Sequence, residues 1–180
     1  MCGRYQVSIE EDSKGKKIKQ RAEQLNLSYS QGEIFPTNKV LCYVSNSSII
    51  DLASMKWGIN NNSLQINARY ESLDDKPLYS RMKNNRCAVI ATGFYEWDKE
   101  KRKYFVHTND KYIYLACIFN DNNELLIITK EADDSFSKVH NRIPIIMNEE
   151  EMNDYLSSKK PIITEKAIII DDINEQTSLF

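Results

Sequence analysis

The sequence predicts an α+β fold: a curved or barrel-like mixed or antiparallel sheet with a few peripheral helices. Three observations carry this. Ten short runs rich in Ile, Val, Tyr and Phe follow one another with turn-forming residues between them. Only three segments show helical spacing or caps. The 180 residues, 41 % apolar and 28 % charged, suffice to enclose a core in one domain without disulfide or metal staples. Many close strands with few helices curl or close a sheet rather than build alternating βαβ units.

The first periodic segment runs from Ser13, a plausible N-cap, to Leu27. Ile18, Ala22 and Leu25 fall at helical spacing, and Lys16, Lys17, Lys19, Arg21 and Glu23 form a solvated face around them. Strands are expected over Lys39–Val44, Ser48–Met55, Gln65–Arg69, Cys87–Ile90, Phe94–Asp98, Lys103–Thr108, Tyr112–Phe119, Glu124–Thr129, Pro144–Met147 and Ala167–Ile170. Asp98–Arg102 and Asn120–Asn123 read as hairpin turns. Short helices are expected at Leu78–Lys83 and Asn148–Ser157; in the second, Asn148 caps and Glu149, Glu150 and Glu151 suit the positive end of the dipole. No internal repeat, low-complexity tract or linker interrupts the chain.

Charge excludes some functions. With 26 acidic and 24 basic residues and a net charge of −2, bulk attraction to nucleic acid is absent, although a local basic groove is allowed. No run approaches the roughly 18 apolar residues of a membrane span, and the start Met1-Cys2-Gly3-Arg4-Tyr5 lacks a signal-peptide core. A cytoplasmic monomer is the expectation. The four cysteines are scattered and there are two histidines, so neither a metal site nor a cofactor is expected. Cys42, Cys87 and Cys117 sit within apolar strand patterns and read as core thiols.

Cys2 differs. Removal of Met1 would leave an α-amine and a thiol on adjacent carbons. An α-amine has a pKa of about 7.7–8.0, so a useful fraction is neutral near pH 7. Such a 1,2-aminothiol condenses with an aldehyde to an imine, and the thiol then closes a thiazolidine ring. Three polar interruptions could serve this chemistry. Ile66-Asn67-Ala68-Arg69-Tyr70-Glu71 sets an amide and a guanidinium on one strand face, able to hold a hydroxyl and a phosphate. Gly93-Phe94-Tyr95-Glu96-Trp97 flanks a carboxylate with aromatics, which favours a raised pKa. Val139-His140-Asn141-Arg142-Ile143-Pro144 presents an imidazole where a loop enters a strand. His107 lies within a strand pattern and reads as structural. Lys outnumbers Arg 17 to 7, yet Arg4, Arg69, Arg86 and Arg142 lie in or beside these segments, and Arg is the better phosphate fork. Trp57, Phe35 and Tyr70 are candidate stacking platforms for bases.

The ordered set Met1–Tyr5, Phe35-Pro36-Thr37, Met55-Lys56-Trp57-Gly58, Asn67–Ser72, Arg86-Cys87, Gly93–Trp97 and Val139–Pro144 resembles the SOS response-associated peptidase family, the abasic-site-processing proteins. The resemblance spans about Cys2 to Met147, and the tail fits loosely through Ile169–Asn174. The family's N-A-R-S-E-T reads Asn67-Ala68-Arg69-Tyr70-Glu71-Ser72, its H-D-R-M-P reads His140-Asn141-Arg142-Ile143-Pro144, and its Ala before Pro-Thr is Phe35. The resemblance implies a protein that binds single-stranded DNA and attaches covalently to abasic sites. It implies Cys2 as nucleophile once Met1 is released, Glu96 as acid/base, His140 as proton shuttle and Asn67 as the group orienting amine and sugar. It implies phosphate contacts at Arg4, Arg69, Arg86 and Arg142, and a strand path lined by Trp57, Pro36, Thr37 and Thr129. A weak DNA lyase activity from the imine stage is implied as well.

Two other readings fit parts of the sequence. An N-terminal-nucleophile amidohydrolase also begins Met-Cys-Gly, but Asn67-Ala68-Arg69 and Gly93–Trp97 are not its motifs. A non-catalytic single-stranded nucleic-acid-binding module would tolerate loss of Cys2. The covalent reading expects an exposed Cys2, joined by a cleft to Glu96 and His140.

Overall fold

A computed structural model describes residues 2–47, 49–157 and 166–174. Met1, and Ser48 at the head of one expected strand, lie outside the described residues. The fold is the expected α+β, β-rich arrangement, and its main sheet closes on itself.

The chain enters through β1 (Arg4–Val7), helix α1 (Ser13–Gln24) and β2 (Gly32–Ile34). The long hairpin β3 (Lys39–Asn46) and β4 (Ile49–Trp57) leads to the small hairpin β5 (Ile59–Asn61) and β6 (Ser63–Gln65), then β7 (Asn67–Arg69). A 3-10 turn at Tyr70–Ser72 and α2 (Pro77–Met82) precede β8 (Arg86–Ala91), β9 (Gly93–Trp97), β10 (Lys103–His107), β11 (Ile113–Phe119) and β12 (Glu124–Glu131). Two short strands, β13 (Arg142–Pro144) and β14 (Ile146–Met147), come before α3 (Glu149–Ser157) and β15 (Ile169–Asp172).

Strands β4, β3, β8 and β11 pair in that order, all antiparallel. β11 then pairs antiparallel with β12, and β12 pairs in parallel with β4, which closes the ring. Closure removes the open edges that a β-rich fold must otherwise protect. β4 occupies the β12 edge only at Glu124 and Leu125. At Gly58, whose φ of +105° suits glycine, the chain leaves that edge, makes the β5–β6 hairpin and returns as β7. There Asn67, Ala68 and Arg69 pair with Ile127, Ile128 and Thr129.

A second sheet has the order β15-β10-β9-β1-β2, antiparallel throughout. The two sheets are joined covalently where β8 of the barrel passes through Thr92 into β9. The Thr92 N–H and hydroxyl both donate to the Gln6 carbonyl, at 2.7 and 3.1 Å. Trp57, Tyr5, Phe94, Phe136, Tyr114 and Tyr155 are fully buried and fill the core. All four cysteines are buried and free. No helix among the described residues is long and apolar enough to cross a membrane.

Several boundaries differ from expectation for local reasons. The N-cap of α1 is Asp12, whose carboxylate accepts from the Gly15 N–H at 2.6 Å, so Ser13 is already helical. The helix ends at Gln24, and Asn26 turns out with φ +52°. The expected Gln65–Arg69 strand is broken at Ile66, because its two halves pair with different partners. The Pro144–Met147 run is likewise broken at Ile145, whose N–H bonds to Ile128 and whose carbonyl accepts from Ala116, bridging β12 and β11. The last strand lies two residues later, at Ile169–Asp172. β1, β2 and β5 are too short, or too polar on their outer face, to stand out as apolar runs.

Gly93 packs where a Cβ would press on the Phe105 ring and lie 2.8 Å from the Val106 carbonyl oxygen. Overpacking of this kind costs about 1–3 kcal/mol. Gly93→Ala is therefore expected to lower the denaturant midpoint without altering the slope of the transition; an unchanged midpoint would show that β9 and β10 can separate freely.

Candidate active site

The β1–β9 register pairs Arg4 with Tyr95 and Tyr5 with Phe94. Continued toward the amino terminus, it carries Gly3 and Cys2 alongside Glu96 and Trp97. Asn67 approaches from the barrel, and its side-chain Nδ2 donates to the Cys2 carbonyl at 2.8 Å. Asn67 itself is fixed by parallel pairing with Ile127 and by the Tyr79 hydroxyl, which donates to its carbonyl at 3.4 Å. The buried Asn67 Oδ1 has no hydrogen-bond partner among the described residues, so an acceptor remains for an incoming hydroxyl or amine.

Cys2 is wholly buried, which corrects the expectation of an exposed nucleophile. The reason is its place at the seam of the two sheets, between β9 and β7. Burial pushes the Cys2 thiol far above its ordinary value, and the nearby Glu96 carboxylate raises it further. Burial also raises the Glu96 carboxyl. Glu96 is only 5 % exposed. A carboxyl of this kind is poised for proton transfer nearer neutrality than a free one.

His140 is half-buried just ahead of β13. Its Nδ1 lies 2.9 Å from the Arg142 N–H and 3.3 Å from the Arg142 carbonyl oxygen; the shorter, donated contact governs, and Nδ1 accepts. Burial lowers the imidazole below its ordinary value and outweighs the Arg142 backbone hydrogen bond, which acts the other way. His140 and Asn141 line an open cleft of about 710 Å³ together with Trp97, Asp98 and Arg102. Cys2, Asn67 and Glu96 thus form one cluster, and His140 shares a cleft wall with the residue that follows Glu96.

The expected DNA contacts divide into two groups. Arg4 is partly exposed; its guanidinium lies 4.1 Å from the Phe35 ring centroid and 5.2 Å from that of Trp97, and NH1 reaches Glu33 at 3.3 Å. Pro36 is half-buried, and Thr37 is exposed with φ +76°, its N–H donating to the Trp57 carbonyl at 2.7 Å. Arg69 is exposed and makes no ion pair among the described residues. The other four are corrections. Trp57 is fully buried, with its indole N–H donating to Ile66 at 3.0 Å and its ring 5.4 Å from that of Tyr5. Thr129 is fully buried in β12. Arg142 is buried and spends its guanidinium on Glu71 and Thr129. Arg86 donates to the Tyr155 carbonyl at 2.8 Å and rests over that ring. Trp57, Thr129 and Arg142 thus serve the interior of the fold, and half-buried Arg86 ties β8 to helix α3.

Sequence reasoning missed the partners that shape the exposed rim. Glu33 is shared by Arg4 and by Lys103, at 2.9 Å, and Lys103 also lies 4.1 Å from the Tyr95 ring centroid. Glu33 on β2 and Lys103 on β10 meet across the two intervening strands β1 and β9, and no local pattern signals that. His107 pairs with Asp171 at 3.1 Å between β10 and β15, a structural place as expected.

A family model described as SOS response associated peptidase (SRAP) matches residues 1–178. The chain is 25 % identical over 189 residues to the abasic site processing protein YoqW of Bacillus subtilis strain 168, covering 88 % of this chain and 81 % of that one. It is 26 % identical over 139 residues to the abasic site processing protein YedK of Escherichia coli K12, covering 68 % and 63 %. A crystal structure of a Bordetella bronchiseptica protein superposes with a TM-score of 0.75 at 13 % identity, covering 96 % of this chain and all of that one. One from Bacteroides thetaiotaomicron gives 0.68 at 18 % identity, over 91 % and 83 %.

The raised Glu96 carboxyl has a consequence for stability. The folded protein keeps this proton above the pH at which the unfolded chain releases it. Stability contributed here therefore falls as pH rises from the ordinary carboxyl value through the raised one. Glu96→Gln removes the penalty. Its stability relative to wild type should rise between about pH 4 and pH 7, read by denaturant melts at both; a variant that loses ground with rising pH would show that Glu96 is stabilised as the anion.

Proposed function

Because the chain belongs to the SOS response associated peptidase family, we propose that it processes abasic sites in single-stranded DNA, trapping them as a thiazolidine on Cys2. The observation that carries this reading is the placement of Cys2 between the Asn67 amide and the Glu96 carboxyl. A thiol sealed among neutral groups is a poor free nucleophile, but it is well suited to close a ring on a carbon already held by its own amine.

Release of Met1 by hydrolysis of the Met1–Cys2 peptide bond converts the Cys2 nitrogen from an amide to an amine. An abasic deoxyribose is mostly a closed hemiacetal. Opening it needs a proton delivered to the ring oxygen and one removed from the hydroxyl. Glu96 and His140 divide that work, each worth typically about 10²–10⁴-fold. The amine adds to C1′, and loss of one water leaves the imine. The Cys2 S–H then adds across C=N: sulfur bonds to C1′ and the proton passes to nitrogen. One aldehyde and one aminothiol have become a thiazolidine and a water. With no iminium remaining, β-elimination has no electron sink and the strand is shielded; a slow lyase reaction can arise only at the imine. Asn67 Oδ1 orients the amine or the sugar hydroxyl. Arg4, Pro36, Thr37 and Arg69 supply the rim for the backbone, and Phe35 and Trp97 offer aromatic faces for flanking bases.

Intact-protein mass spectrometry before and after mixing with an abasic single-stranded oligonucleotide reports Met1 loss and adduct mass together. Cys2→Ala, and a protein with a blocked amino terminus, are expected to bind the oligonucleotide and form no denaturant-stable adduct. An adduct from either would remove the aminothiol from the chemistry. Glutamine hydrolysis dependent on Cys2 would favour the amidohydrolase instead.

Arg69→Ala should weaken binding to single strands of any sequence and reduce the slope of log K against log salt by about 0.7. Affinity and slope both equal to wild type would place the phosphates elsewhere.

A further inference from the structure

Glu71 and Arg142 lie 71 residues apart in sequence and meet in a two-point ion pair, with NH1 3.0 Å from Oε1 and NH2 2.9 Å from Oε2. Both ends of the pair are anchored on β12. Arg142 NH2 also donates to the Thr129 carbonyl and, at 3.3 Å, to its hydroxyl. Glu71 Oε1 accepts the Glu131 N–H at 3.1 Å, and Glu131 is the register partner of Arg142. Burial alone would raise the Glu71 carboxyl, but the guanidinium overcomes this and holds it below its ordinary value. Glu71 is thus an anion that clamps the first residue of β13.

That clamp bears on His140, two residues before. The Arg142 N–H is the donor that His140 Nδ1 accepts, at 2.9 Å. A ring nitrogen that accepts carries no proton, so the neutral imidazole holds its proton on Nε2. The rival partner is already in place: the Arg142 carbonyl oxygen lies 3.3 Å from the same Nδ1. A change in the Arg142 φ and ψ that withdraws the N–H of the 141–142 peptide and leaves the carbonyl of the 142–143 peptide in front of Nδ1 would select the opposite tautomer.

We propose that Glu71 is a positioning residue: by clamping Arg142 it keeps the Arg142 N–H against His140 Nδ1 and so fixes the imidazole as the Nε2–H tautomer, a neutral hydrogen-bond donor for the departing or adding oxygen of the sugar. This rests on the role given to His140 above. It also assigns Arg142 a task that a phosphate contact would not explain.

The two histidines make the test direct. In long-range ¹H–¹⁵N correlation spectra of the full-length protein, His140 should show an unprotonated Nδ1 in its neutral form. His107 serves as an internal reference, because its Nδ1 lies 2.9 Å from the Thr108 carbonyl and its Nε2 3.1 Å from Asp171. In Glu71→Ala the His140 pattern should shift toward the other tautomer while His107 stays unchanged. The single-turnover adduct rate at saturating abasic oligonucleotide should fall about ten-fold or more, with unaltered affinity for an oligonucleotide carrying a tetrahydrofuran abasic analogue. Glu71→Gln, which keeps the size and one acceptor, should fall between the two and carries the test if Glu71→Ala does not fold. A protonated Nδ1 in the neutral wild-type ring, or a His140 pattern indifferent to the Glu71 substitution, would overturn the proposal. A Glu71-dependent tautomer in a protein that forms no adduct would support the clamp and sink the crosslinking reading.

Discussion

The hydrogen bond from the Asn67 side chain to the Cys2 carbonyl is the constraint on which the site depends. Cys2 leads into β1, a strand of the open sheet, while Asn67 belongs to β7 on the closed barrel. The chain passes between the two sheets at Thr92, between β8 and β9, and again at 35–38, between β2 and β3. Neither crossing holds Cys2 itself, which precedes β1, and chain ends held only by a neighbouring strand fray. The bond is buried, where the low dielectric strengthens it and where loss of either partner strands the other. Asn67 can act as this tie because β4 leaves the β12 edge at Gly58 and β7 takes its place, delivering a side chain to the seam that a continuous β4 would not reach.

Burial at the seam sets the chemistry as much as the geometry. It raises the Cys2 thiol and the Glu96 carboxyl and lowers the His140 imidazole. All three shifts favour the uncharged form. For the proposed condensation this has a definite consequence. A cationic iminium is poorly solvated among neutral buried groups, whereas the thiazolidine that follows can be neutral. The environment therefore draws the reaction past the imine, the stage from which strand cleavage would occur. The same burial is a standing cost to folding, of the kind functional sites commonly carry.

Much of this was legible in the sequence. Runs rich in Ile, Val, Tyr and Phe located every long strand of the barrel, and of the polar interruptions the fold brings Asn67 and Glu96 to Cys2, while His140 lines the neighbouring cleft beside Trp97. What was not legible depended on long-range pairing. Trp57 reads as a candidate platform for bases, although most aromatics in a domain of this size are core, and its buried indole N–H donates to the Ile66 carbonyl. Arg86 and Arg142 read as phosphate forks because they lie in or beside the motif segments and Arg suits phosphate; the acceptors they use, the Tyr155 carbonyl and Glu71, come from far along the chain. The splits at Ile66 and Ile145 have the same origin, since a single apolar run can serve two different partner strands. Burial of Cys2 was missed because a chain terminus carries no periodicity that would reveal its neighbours.

The Glu71–Arg142 pair also bears on why a buried charge is kept at all. The Arg142 side chain is 8 % exposed and that of Glu71 44 %, so the desolvation cost falls on the guanidinium, and a pair open to solvent at one end adds little net stability. Stability therefore does not account for it. Directionality does: a bidentate guanidinium–carboxylate contact fixes the residues on which it is built in a way that dispersion contacts cannot. Here the fixed residue supplies the N–H that His140 accepts, while Arg69, exposed on β7 and without an ion pair among the described residues, meets solvent. The two arginines register with β12 only two residues apart, Arg69 opposite Thr129 and Arg142 opposite Glu131. They differ in the carboxylate that one of them has and the other lacks, and that difference separates a guanidinium held inside the fold from one that stays exposed on β7.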